Sequence, residues 1–152
     1  MLKIAKRVDT GRRPLENWVR RHLWRTDMKY VVSELEGELL DAAVAKALDV
    51  PNVELYQNRS WCSVERSKDG RTTIPILVDS YSSLWEHGGP LIEKAKITIF
   101  HDAWWEAGLN AELSCSYGAP SLELSFKSRG STALIAAMRA FVMSRLGSEV
   151  EL

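Results

Sequence analysis

The most constraining stretch of this chain is a double alternation near its C-terminal third. Ala111, Leu113 and Cys115 interleave with Glu112, Ser114 and Ser116, and after Tyr117-Gly118-Ala119-Pro120 the residues Leu122, Leu124 and Phe126 again alternate with polar partners. A period of two places every second side chain on one face, so the pattern predicts an antiparallel hairpin with one buried face. Antiparallel pairing in the middle of a chain with helical patterns at both ends argues for an α+β fold rather than a βαβ sheet. A chain of 152 residues is the usual size of one domain,.

The other elements follow from their own periods. Met28 to Val32 reads as a short strand or lead-in. Ser33-Glu34-Leu35-Glu36 has the form of a capping box, which predicts a helix from there to about Leu48 with Leu35, Leu39, Leu40, Ala43, Val44, Ala47 and Leu48 facing inward,. Glu34, Glu36 and Glu38 suit the positive end of its dipole. Val53 to Tyr56 is a strand candidate. Trp61 to Arg66 and Arg71 to Val78 flank a turn containing Asp69-Gly70, a hairpin signal, and Pro75 marks the second run as an edge strand or bulge,. Ile97 to Phe100 and Trp104 to Ala107 are further strand candidates. Thr132 is placed to cap a last helix whose stripe is Leu134, Ile135, Met138, Phe141, Val142 and Leu146, with Gly147 at its end,. The predicted architecture is a small antiparallel sheet of four to six strands, packed by helices near both ends of the chain.

Charge divides the chain in two. Residues 1–28 hold eight Lys/Arg and three Asp/Glu, and the remainder holds twelve and seventeen, so a segment of +5 precedes a body of −5. Within the segment Pro14 suits a first helical position, and Leu15, Trp18, Val19, His22 and Leu23 form one apolar stripe with Arg20, Arg21 and Arg25 off it,. Residues 1–27 are therefore read as a basic amphipathic extension and residues 28–152 as a single α+β domain. Such a segment packs on the domain, docks on a partner groove or a membrane, or contacts nucleic-acid phosphates while its tryptophans stack on bases.

Most familiar chemistries are missing from the residues. Neither GxGxxG nor GxxxxGK[ST] accompanies Gly88-Gly89, and Gly-x-Ser-x-Gly is absent,. His22, His87 and His101 share no ligand spacing, so no metal and no cofactor is expected,. Cys62 and Cys115 lack CxxC spacing and read as two buried reduced thiols,. No charged lead followed by an apolar run marks a signal peptide, and no apolar run nears the ~18 residues that span a bilayer, so a cytoplasmic, non-membrane protein is expected.

One segment stands apart. Asp79 to Glu93 packs Tyr81, Ser82, Trp85 and His87 ahead of Gly88-Gly89-Pro90, a strong breaker whose proline is placed to open a short helical turn,. Read as a loop braced by a rigid turn, it is a recognition surface. Arg139, bordering the last helix's stripe, pairs with Glu93 or Asp79 or binds an anionic ligand. The candidate binding residues are Tyr81, Ser82, Trp85, His87, Gly88, Gly89, Pro90 and Arg139; no residue is nominated as catalytic.

Three stretches together resemble the NinX-like phage proteins. These are Ser33 to Ala47, the run from Tyr81-Ser82 through Trp85 to His87-Gly88-Gly89-Pro90-Leu91-Ile92-Glu93, and Leu134 to Val142. Departures are the added residues 1–27, His87 in place of glutamine, Ala133 in place of proline, and a longer 108–128 hairpin. The resemblance implies a phage or prophage origin and action in the cytoplasm of a bacterial host, and supplies no catalytic residues. The absence of a catalytic constellation beside the compact aromatic segment favours an accessory protein that binds a host or phage protein. The alternatives are a nucleic-acid-binding factor in phage replication or recombination, working through the basic segment, and a small-ligand-binding domain or enzyme in which Arg139, Tyr81 and His87 converge.

Overall fold

The computed structural model describes residues 28–56, 60–68, 73–116 and 119–152. Along these run β1 (Lys29–Val31), a 3-10 turn (Val32–Glu34), α1 (Gly37–Ala47), β2 (Val53–Tyr56), β3 (Ser60–Arg66), β4 (Thr73–Leu77), α2 (Trp85–Ala95), β5 (Thr98–His101), β6 (Trp105–Ser116), β7 (Ala119–Gly130), α3 (Ala133–Leu146) and β8 (Glu149–Glu151). The α+β class and the antiparallel pairing agree with the sequence. The basic segment 1–27 and the Asp69-Gly70 and Tyr117-Gly118 turns lie outside the described residues.

The strands form three small sheets instead of the single one expected, in the orders β1-β8, β2-β3-β4 and β5-β6-β7. Two local features keep them apart. β4, the strand with Pro75, is an edge, as the missing N–H of proline requires,. Helix α2 then intervenes between β4 and β5. The first sheet joins the two ends of the described chain, with Tyr30 opposite Val150.

The core is organised around α3. Ala136, Ala137, Met138, Arg139, Ala140, Phe141 and Val142 are all buried, so this helix is covered nearly all round rather than along one stripe. Strands β6 and β7 cover one side of it, while α1, α2, β5, β8 and the 3-10 turn close the rest. In α1, which packs on α3, Ala42, Ala43 and Ala45 are also buried, and small side chains allow close helix approach. Thr132 caps α3, its Oγ1 accepting from the Ile135 amide at 3.2 Å, and Gly147 ends it at φ +93°. Both match the sequence reading.

Three expectations are corrected. Helix α1 begins at Gly37, and Ser33 sits in the 3-10 turn, so no capping box forms. Leu35 and Glu36 are extended, and Gly37 turns the chain into the helix at φ +54°, a conformation open mainly to glycine,. The β6–β7 hairpin pairs as predicted, with Leu113 opposite Leu122, but its distal face is not buried. Leu113 is 79% exposed, and Leu122, Phe126 and Cys115 are exposed with it. Alternation reports one apolar face but not what lies over it, and α3 reaches only the proximal end. Cys62 alone of the two free thiols is buried.

Candidate functional site

The Tyr81–Pro90 segment is helical where the sequence suggested a break. A turn at Ser80–Leu84 delivers the chain into α2, which runs from Trp85 straight through Gly88, Gly89 and Pro90 to Ala95. Pro90 withholds an amide from the Glu86 carbonyl, but both residues are exposed, so the orphaned carbonyl lies on the wet side of the helix,. Gly88 explains why the helix can lie so deep. A Cβ there would stand 2.4 Å from the Tyr81 carbonyl oxygen and 2.8 Å from Leu134 Cδ2. The glycine is thus a close-approach residue, whereas a Cβ on Gly89 would meet only Trp85 Cε3 at 3.8 Å.

The segment is fixed from several directions. Asp41 on α1, 8% exposed, accepts the Ser82 amide on Oδ1 at 2.7 Å. Burial pushes its carboxyl above the usual range, against the lowering effect of the Ser82 bonds. The Tyr81 ring is buried and its hydroxyl donates to Asp79 Oδ2 at 3.3 Å; burial and the Asp79 charge push the phenol up to about 12. The Ser80 amide donates to His87 Nδ1 at 3.0 Å, which leaves Nε2 to carry the proton of the neutral ring,. His87 also meets Tyr81 edge-on, with 6.4 Å between ring centroids.

On this mount sits a large apolar group in solvent. Trp85 is 58% exposed and Leu84 beside it is exposed too. Trp85, with Ser82, Ser83, Trp105, Thr132 and Leu134, borders a cleft of about 540 Å³ at the start of α3. Among the described residues, no charged side chain lines it. Trp104, which precedes β6, is likewise exposed, while Trp105 is half-buried.

Arg139 stands apart from this group. Its Nε donates to the Leu35 carbonyl at 2.9 Å, one terminal nitrogen to the Arg129 carbonyl at 2.6 Å, and the other to Glu36 Oε1 at 3.2 Å. Its carboxylate partner is Glu36, rather than Glu93 or Asp79. Burial draws the guanidinium below its usual range, and Glu36 opposes this. Its donors therefore tie the extended entry of α1 and the end of β7 to α3. Another buried charge, Glu106 on β6, is held by Lys127 at 2.6 Å and Arg129 at 2.7 Å.

Tyr81, Ser82, Trp85, His87 and the Gly88-Gly89-Pro90 run thus share one turn and helix start, and Arg139 belongs to a different junction. Sequence reasoning passed over Asp41. Asp41 had a signal: it is the sole charge in the apolar run from Leu39 to Ala45 of an inward-facing helix. Among the described residues no group of three His, Cys, Asp or Glu side chains could hold a metal ion, and no helix is long and apolar enough to cross a membrane.

A family model described as bacteriophage P22, NinX, matches residues 31–145, which include α1, the whole Tyr81–Pro90 segment and nearly all of α3. No curated protein matches the chain.

Proposed function

The chain belongs to the bacteriophage P22 NinX family, and on that premise we propose that it is a phage accessory protein that binds a host or phage protein in the cytoplasm of the infected cell. Trp85 is the anchor of the contact. The carrying observation is its exposure on a support that does not yield: Asp41, His87 and Gly88 each fix the backbone beneath it. A rigid exposed tryptophan is the residue type that most often dominates a protein interface, and holding it in place beforehand lowers the entropy lost on binding. The bordering cleft receives an uncharged side chain of the partner. Arg139, with its donors committed to Leu35, Arg129 and Glu36, is a scaffold residue in this reading, which makes a catalytic or anion-binding role the weaker alternative.

The experiment is affinity capture from host lysate with the full chain and its Trp85→Ala variant. Loss of an interface tryptophan removes ~2 kcal/mol or more, so recovery falls at least tenfold while thermal unfolding is unchanged. Partner recovery at the wild-type level refutes the assignment.

The charge division supports a second reading, in which residues 1–28, at +5, contact nucleic-acid phosphates. That reading expects binding that weakens steeply with salt and disappears when residues 1–27 are removed. Salt-independent binding by the shortened chain contradicts it.

A further inference from the structure

A smaller cavity, of about 210 Å³, lies where α1, sheet β2-β3-β4 and the chain leading into α2 meet. Glu38 and Asp41 line it from α1, Trp61 from β3, and Leu77, Val78 and Ser80 from the end of β4 onward. The two acids stand at positions i and i+3 of the helix, which sets both carboxyl groups on one side of it,. Trp61 is half-buried, and its carbonyl accepts the Val78 amide at 3.2 Å, so aromatic and aliphatic walls are fixed to each other. The lining therefore combines negative charge with an apolar surface that includes an indole.

Asp41 has no counter-charge to match its burial. It is more than nine-tenths buried, and the bonds it accepts come from Ser82, a neutral donor. Among the described residues neither Asp41 nor Glu38 forms an ion pair with a lysine or arginine. His87 acts on Asp41 only through space, its Nδ1 taken up by the Ser80 amide. Carboxylates are almost never buried without a cationic partner, and here the carboxyl group borders a cavity. We propose that this cavity binds a primary alkylammonium group, its nitrogen between Glu38 and Asp41 and its methylenes along Trp61, Leu77 and Val78. An ammonium has three donors, enough for both carboxylates and the Ser80 hydroxyl, and tryptophan is the aromatic that attracts a cation best. At about 30 Å³ for each water-sized group the cavity holds roughly seven. Butylammonium, or a lysine side chain of the same make, thus fits with a water or two beside it. The inference does not depend on what Trp85 binds.

The test titrates the full chain with butylammonium chloride, with butanol as its neutral counterpart, and with a short peptide holding one internal lysine. The readout is the indole N–H resonance of Trp61, identified by its loss in Trp61→Phe. Butylammonium or the peptide moves this resonance saturably, and butanol leaves it in place. Saturation by the peptide at the lower concentration makes a partner's lysine the source of the group; the reverse order makes it a free amine. Glu38→Gln and Asp41→Asn each weaken binding about tenfold or more, as expected when one member of a close charge pair is removed. Glu38 is exposed, so its replacement spares the fold, and asparagine keeps an oxygen for the Ser82 amide. No saturable shift with either amine, an equal response to butanol, or wild-type affinity in Glu38→Gln overturns the proposal. Should Asp41→Asn lower the unfolding temperature, Glu38→Gln decides.

Discussion

Replacing Arg139 by methionine separates two ways in which a buried cation can stabilise a fold. The side chain is 7% exposed and makes three bonds, two to main-chain carbonyls and one to Glu36. The Glu36 side chain is 59% exposed, so its half of the ion pair is solvated and contributes at most about 1 kcal/mol. The buried Leu35 carbonyl has no such recourse, and the Arg129 carbonyl, partly buried, has little. A buried acceptor deprived of its donor costs about 1–3 kcal/mol, so Arg139→Met destabilises by about 3–5 kcal/mol while Glu36→Gln costs less than about 1 kcal/mol. Arg139→Lys recovers less than half of the loss, because a single ammonium cannot reproduce a planar fork that reaches three acceptors. Urea unfolding followed by fluorescence of the chain's tryptophans measures all three. At a slope of about 2 kcal/mol per molar urea, the methionine variant unfolds about 2 M earlier. Equal losses for Arg139→Met and Glu36→Gln refute the reasoning, since the ion pair would then carry the energy. A loss under about 1 kcal/mol for Arg139→Met refutes it from the other side.

Other consequences are open to simpler assays. Gly88→Ala forces a methyl group against the Tyr81 carbonyl at 2.4 Å and costs about 2–4 kcal/mol, whereas Gly89→Ala changes stability by less than about 1 kcal/mol, as a thermal-shift comparison will show. Lys127 and Arg129 hold the Glu106 carboxyl below its usual 4.5. A lowered folded value means that its contribution is complete above 4.5 and is lost as pH falls through the folded value,. Glu106→Gln therefore flattens the acid limb of a stability–pH curve, and an unchanged limb counts against the pairing. Burial pushes the Cys62 thiol up while Cys115 is exposed, so Cys115 reacts with a disulfide reagent in the native protein and Cys62 only after unfolding.

Local periodicity located nearly all the described elements, because each strand and helix carries its own apolar repeat. What it could not convey was coverage. Of the stripe predicted for α3, Leu134, Met138, Phe141 and Val142 are buried and Leu146 is exposed, yet Ala136, Ala137 and Ala140 are buried too, since alanine gives no sign of which side it faces. The hairpin shows the reverse error, with Leu113 patterned for a core and left in solvent. At the candidate site the residue types were legible and the backbone was not. Gly88-Gly89-Pro90 is a breaker by propensity, but tertiary contact with Tyr81 and Leu134 sets the helix there. Asp41 bonds Ser82 across 41 positions, and Arg139 bonds Leu35 across 104. Pairings at that separation leave no trace in a single sequence.

The placement of α3 also governs the order in which the chain can fold as it is made. This helix fills the centre of the molecule, and β8 after it secures β1, yet both follow every other element in the chain. At about 5–20 residues per second a ribosome needs roughly 1–3 s to make the Ala133–Leu146 helix,. Until then α1, the β6–β7 ribbon and the seat of Trp85 lack the helix they close upon. The nascent protein thus passes through an interval in which its stickiest surfaces face the cell, and a chaperone or an early partner would find it most receptive at that moment.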